Sequence, residues 1–273
     1  MSHMEDSRKN ALLAEVAHYA NDFLESLPTR PVGSAATVEE MRAAFEMPLP
    51  EEGASPGRLI KELIDAAEPG LVATPSGRFF GFVIGGALPA TIAADWLTSL
   101  WDQNAGLFVA SPAAAVAEEV AGRWLQELLG LPPGSSFGLV TGGQMANFTC
   151  LAAARHHVLA AAGWDVQLKG LGGAPAIRVL ANEARHDTID RSLRYLGLGT
   201  DCIEPIAADD QGRISVEKLR EALARSEGPS IVCAQAGNVN SGAFDSFTAV
   251  CAAAHEHQAW VHVSTAPSAY GPR

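Results

Sequence analysis

Apolar positions recur at helical spacing over Ala11–Leu27, where Leu12, Leu13, Val16, Tyr19, Phe23 and Leu24 share a face. The pattern predicts one amphipathic helix ended near Pro28. Two shorter helices are predicted at Val38–Phe45 and Gly57–Ala67, separated by MPLPEEGASPG, whose prolines break regular structure. Pro89 to about Asp102 reads as helix, AGLFVASPAAA as loop, and Ala113–Leu129 as helix again. From Phe137 the pattern alternates. Apolar runs at Phe137–Thr141, Ile177–Ala181, Cys202–Ile206, Ile231–Ala234 and Trp260–Val263 predict strands, and Met145–Ala161, Thr188–Leu196, Val216–Ala224 and Phe247–His257 predict the helices between them. Strands alternating with helices imply an α/β fold, a mostly parallel sheet with helices on both faces, preceded by a helical arm.

Such sheets bind ligands at the carboxyl ends of their strands. One candidate stands out. In FGLVTGGQMANFTC, Phe137–Cys150, an apolar run breaks at Thr141-Gly142-Gly143 and gives way to a helix. Glycines let backbone approach an anion without a Cβ in the way, and the unpaired N–H groups opening the helix point at it with the positive end of the macrodipole. An ordinary strand-to-helix turn with a glycine pair fits the same residues. The glycine-rich pieces LKGLGGAP and LGLGT do not supply GxGxxG after a strand, so a nicotinamide or flavin fingerprint is missing.

With 273 residues, 48% of them hydrophobic, the chain has material for a large core. A net charge of −12, with no basic run, argues against nucleic-acid backbone binding. No apolar run is long enough to span a bilayer and no signal-peptide pattern opens the chain, which makes a membrane partner unexpected. Cys150, Cys202, Cys233 and Cys251 are scattered through apolar patterns without a CxxC pair. They read as reduced, buried thiols of a cytoplasmic protein, with no zinc or other metal site.

Four further segments flank the glycine turn in order: RFFGFVIGGALPATIAADWL from Arg78, FVASPAAAVAEEVAGRWL from Phe108, EARHDTIDRSLRYLG from Glu183 and AQAGNVNSGAFD from Ala234. Together with TGGQMAN they resemble the group II pyridoxal-phosphate-dependent amino acid decarboxylases, the family of aromatic-L-amino-acid and glutamate decarboxylases, over roughly Arg78–Val263. The resemblance implies the large domain of fold type I, a pyridoxal 5'-phosphate cofactor, an amino acid substrate and a homodimeric full-length form. It places Gly143 and Gln144 at the cofactor phosphate, with Thr141 and Gly142 shaping the turn. His186 falls at the histidine that stacks on the pyridine ring and orients the substrate carboxylate. Asn238 and Asn240 fall in the segment approaching the ring, where ordinary turn asparagines are the other reading. Phe80, Phe82 and Ile84 match the substrate entrance, or else plain core.

The same resemblance implies an aspartate against the pyridine nitrogen, just after the strand that reads Trp260–Val263, and a lysine that holds the cofactor covalently further on. Here Val263 is followed by STAPSAYGPR. Written in codons with free choice of wobble bases and read in a shifted frame, that tail gives Asp-Gly-Ala-Phe-Gly-Leu-Trp-Ala-Ala, the sequence the resemblance leads one to expect, aspartate included. The expectation is therefore a helical arm over 1–77, an incomplete cofactor-binding domain over 78–263 and an out-of-frame tail over 264–273. The chain reads as an inactive form of an L-amino acid decarboxylase. The alternative is a non-catalytic phosphate-, pyridoxal-phosphate- or partner-binding protein.

Overall fold

The computed structural model describes residues 2–225 and 228–265. Contacts divide the chain into two units, Met1–Asp102 and Gln103–Arg273.

The first unit holds α1 (Ser2–Ser26), α2 (Val38–Phe45), α3 (Pro56–Ala67), a 3₁₀ turn at Glu68–Gly70 and α4 (Pro89–Trp101). Helix α2 starts where it does because Thr37 and Glu40 form a reciprocal capping box, Glu40 N–H donating to Thr37 Oγ1 at 3.2 Å and Thr37 N–H to Glu40 Oε2 at 2.8 Å. The Glu68 carboxylate fastens the turn to α1: Tyr19 donates to it at 2.5 Å, and Arg30, whose guanidinium lies 4.4 Å from the centre of the Phe23 ring, pairs with it. Little of this unit is buried beyond Ala73 and Ser76.

The second unit contains α5 (Pro112–Leu128), α6 (Gly143–Ala161), a single turn α7 (Val166–Lys169), then β1 (Arg178–Asn182), α8 (Thr188–Tyr195), β2 (Ile203–Ile206), α9 (Val216–Ala224), β3 (Ser230–Ala236), α10 (Phe247–Glu256) and β4 (Trp260–Thr265). The four strands form one parallel sheet in the order β2-β1-β3-β4. Side chains alternate across it. Val179, Ala181, Ile231 and Cys233 face α6 and α8, where Leu151, Ala154, Leu159, Ile189 and Leu193 close a core. Leu180, Val232 and Ala234 face α9 and α10, against Leu219, Leu223, Val250 and Ala253. Each fully buried leucine contributes about 1.5–3 kcal/mol by leaving water.

The connections fix where a cleft opens. The β1-α8-β2 crossover runs one way along the sheet with its helix on one face, and the β3-α10-β4 crossover runs the other way with its helix on the opposite face. Right-handed crossovers require that switch of face. Between β1 and β3 the connections leave in opposite directions, so the loops following them part at the carboxyl edge.

The parallel α/β sheet expected from the pattern is present, but the run Phe137–Thr141 is not a strand. Phe137, Leu139 and Val140 have no regular structure, are more than a third exposed and have no ladder partner among the described residues. Apolar composition permits a strand; a hydrogen-bonding neighbour makes one. The Phe137 ring instead sits on α5 at Gly122, where any Cβ would collide with it. The cysteines also divide more finely than expected. Cys233 is buried, its thiol pushed up to about 12 by desolvation, whereas Cys150 is exposed.

Asp245 is the buried clamp of the sheet's carboxyl edge. Its carboxylate accepts the Gln235 N–H at 2.7 Å and the Ile214 N–H at 2.8 Å, joining β3 to the segment before α9. Burial nevertheless holds its carboxyl above the ordinary aspartate range, outweighing the two N–H groups. Asp245→Asn puts an NH₂ against one of those donors and is expected to cost about 1–3 kcal/mol in urea unfolding; an unchanged midpoint would contradict the clamp.

Candidate functional site

The first turns of α6 are tied to α8 and to the carboxyl half of β4, Gln144 bonding Ser192 and Asn147 bonding Thr188, His262 and Ser264. Gly142, at φ 136° and ψ 176°, occupies backbone space that favours glycine and leaves the first turn, Gly143 to Met145, with no side-chain cap. A Cβ built on Gly142 or Gly143 would meet nothing within 4 Å, so the approach to these N–H groups is open. Thr141 precedes them, exposed. The Gln144 side chain turns back onto α8, its Nε2 donating to Ser192 Oγ at 2.8 Å, so what Gln144 offers a ligand is its backbone N–H.

His186 lies in the loop after β1, exposed beside this turn. The loop is heavily braced. Asn182 Oδ1 accepts from Ala184 N–H at 2.8 Å, and Arg185 forms a bidentate ion pair with Asp190 at 2.7 Å for both bonds. His186 Nδ1 accepts the Thr188 N–H at 3.2 Å and lies 2.9 Å from Thr188 Oγ1.

Behind His186 runs a buried polar chain that the sequence did not announce. Asn147 Nδ2 donates to Thr188 Oγ1 at 2.9 Å and reaches Ser264 Oγ on β4 at 3.4 Å, while its Oδ1 is 2.9 Å from His262 Nε2. Desolvation lowers the His262 pKa to about 4, so the ring is neutral at pH 7. A faint signal existed: Gln144 and Asn147 are polar positions on the stripe continued by Leu151, Ala154 and Val158.

The loop after β3 supplies the other wall. Asn238 is buried and makes an Asx-type turn, its Oδ1 accepting the N–H groups of Asn240 at 2.9 Å and Ser241 at 3.3 Å. Gly212, at φ 79°, packs so closely beneath it that a Cβ would lie 2.9 Å from Asn238 Nδ2. Asn240 is exposed at the rim. Phe80, Phe82 and Ile84 belong to the first unit and are exposed there, both phenylalanines to 91%.

The uncapped helix and the open glycines suit a phosphate-bearing ligand. A covalent anchor is another matter. In the second unit Lys218 pairs with Glu221, and Lys169 lies over Trp164, beyond the far end of a helix about 27 Å long. Neither is at the glycine turn. Ser264 and Thr265 continue β4, and the remainder of the expected tail, 266–273, lies outside the described residues. A separate concavity of about 460 Å³, lined among others by Val158, Leu223, Ser230 and Gln258, opens at the amino edge of the sheet, away from these groups.

Residues 39–271 match the profile of the pyridoxal-dependent decarboxylase conserved domain. The chain belongs to this family. It is 28% identical over 254 residues to an aromatic-L-amino-acid decarboxylase of Bacillus atrophaeus, covering 92% of this chain and 50% of that protein. It is also 28% identical to the cysteine sulfinic acid decarboxylase of Rattus norvegicus, covering 84% and 46%. The chain spans about half the length of the curated relatives it matches. Among solved structures, mouse CSAD superposes with a TM-score of 0.84 at 26% identity over 94% of this chain and 54% of that one. Oryza sativa TDC, solved with PLP and tryptamine, gives 0.83 at 26% over 96% and 55%. The α/β sheet described above is the architecture of these decarboxylases.

Because His262 is protonated in the unfolded chain below about 6.5 and in the folded chain only near 4, its stabilising contribution is complete above pH 6.5 and is lost as pH falls toward 4. The loss amounts to roughly 3 kcal/mol. His262→Gln is expected to flatten that part of the stability–pH curve relative to the parent in urea melts at several pH values; an unchanged slope would contradict a buried neutral His262.

Proposed function

We propose that this chain carries the phosphate cradle and the ring-facing histidine of a pyridoxal 5'-phosphate site, from an enzyme that decarboxylates an L-amino acid. The observation that carries the reading is the uncapped first turn of α6, held open by Gly142 and Gly143 beside His186 at the carboxyl edge of the sheet. The Gly143 and Gln144 N–H groups and the helix dipole hold the phosphate dianion, with Thr141 and Gly142 shaping the turn. His186 lies against the ring and directs the substrate carboxylate, and the Asn238–Asn240 turn limits the opposite side. When bound, the cofactor supplies the electron sink for the charge left at Cα as carbon dioxide departs. Phe80, Phe82 and Ile84 are candidates for substrate contact by resemblance.

Two further assignments belong to the full-length enzyme. Exposed Trp124 and Leu128 on α5 support a homodimer, since apolar side chains of that size are commonly covered in an assembly. Free cysteines and the lack, among the described residues, of a helix able to cross a membrane support a cytoplasmic setting. The alternative, a non-catalytic phosphate- or partner-binding protein, shares the cradle but requires no ring recognition at His186.

The chain by itself is expected to bind pyridoxal phosphate reversibly, without covalent attachment and without releasing carbon dioxide from amino acids, because Lys169 and Lys218, the lysines of the second unit, are engaged elsewhere. His186→Ala is expected to weaken pyridoxal phosphate about tenfold while sparing inorganic phosphate. Borohydride treatment followed by peptide mass mapping checks attachment, and equilibrium dialysis checks the two affinities. Reduction onto one specific lysine, or equal loss of both ligands in the variant, would count against this reading.

A further inference from the structure

The direction of the hydrogen bonds behind His186 determines which of its ring nitrogens can serve a ligand. A backbone N–H can only donate, so the Thr188 N–H, 3.2 Å from His186 Nδ1, requires a lone pair there. Thr188 Oγ1, 2.9 Å from the same nitrogen, accepts from Asn147 Nδ2 and therefore has its hydroxyl proton free to point at Nδ1. Asn147 is held in that orientation from behind. Its Oδ1 faces His262 Nε2 at 2.9 Å; an amide oxygen can only accept, so His262 donates there as its Nε2–H tautomer. The chain of donors thus runs one way, from buried His262 through Asn147 and Thr188 to exposed His186.

We propose that Thr188, backed by Asn147 and His262, is a positioning residue that locks His186 in its Nε2–H tautomer. His186 then presents a fixed N–H donor outward and accepts on its inner edge. The partner suited to such a donor is an anionic oxygen, a carboxylate or phosphate oxygen of the occupant, in preference to an ammonium group. Thr188 touches neither cofactor nor substrate in this account; it acts through His186. The role of the donor toward an occupant rests on the pyridoxal phosphate reading, whereas the tautomer does not.

The test is made on the unliganded, uniformly ¹⁵N-labelled chain, at about pH 8, above the ordinary imidazole value near 6.5. A through-hydrogen-bond scalar coupling between the Thr188 amide nitrogen and His186 Nδ1 is expected, with Nδ1 unprotonated and Nε2 carrying the proton. No coupling, or a protonated Nδ1, overturns the proposal, and this readout requires no variant to fold. A second arm uses pyridoxal phosphate and inorganic phosphate as probes. Thr188→Val is expected to weaken pyridoxal phosphate about three- to tenfold with phosphate unchanged, and Thr188→Ser to restore it. Failure of Ser to restore affinity overturns the positioning role. If the coupling is present but pyridoxal phosphate does not bind the parent, the tautomer lock stands and the cofactor reading falls.

Discussion

Asn147 is buried at the point where three elements meet, and its amide satisfies all of them: Thr188 at the start of α8, Ser264 and His262 on β4, and through these the sheet itself. A buried amide left unpaired costs about 1–3 kcal/mol, and a network is stable only when its members are satisfied together. Asn147 lies one turn in from the mouth of α6. The bonds that satisfy it therefore also fix where the free N–H groups of Gly143 and Gln144 point. Aiming a helix N-terminus at a ligand needs such anchorage, because apolar contacts such as Leu151 on β1 and β3 set the distance of a helix from a sheet more firmly than its rotation or slide.

The topology explains why that aim matters. The crossovers leaving β1 and β3 run in opposite directions, and Asn147 ties the start of α6 to the carboxyl half of β4. Preorganisation continues in the walls. The Arg185–Asp190 pair and the Asn182 cap fix the His186 loop, while Asp245 and the Asn238 turn fix the opposite one. What the second unit holds is a braced polar edge around the α6 terminus, with Lys169 and Lys218 elsewhere.

Much of this was legible where the determinants are local. Helices Val38–Phe45 and Val216–Ala224 read correctly to the residue because their caps, Thr37 with Glu40 and Ser215, sit in the sequence beside them. The glycine turn was visible because Gly142 supplies a conformation that few other residues adopt. Phe137–Thr141 misled because periodicity reports apolarity and is silent on pairing; β3 ran on to Ala236 for the complementary reason, its ladder with β4 outlasting the apolar run. Asn147, Thr188 and His262 were missed as a unit. Their meaning comes from contacts spanning up to 117 positions, which one sequence does not display. Asn238 and Asn240 read two ways from sequence, and the structure shows at least that the side chain of Asn238 builds its own turn.

The central claim is that the α6 terminus is the anion seat, and the most direct measurement is a map of backbone amide shifts as inorganic phosphate and then pyridoxal phosphate are added to the ¹⁵N-labelled chain. The account predicts that phosphate moves Gly143, Gln144 and Met145 first, and that pyridoxal phosphate moves these and the His186 and Asn238 loops as well. Shifts centred instead on the concavity around Val158, Ser230 and Gln258 at the other edge of the sheet, with the α6 terminus unmoved, would contradict it.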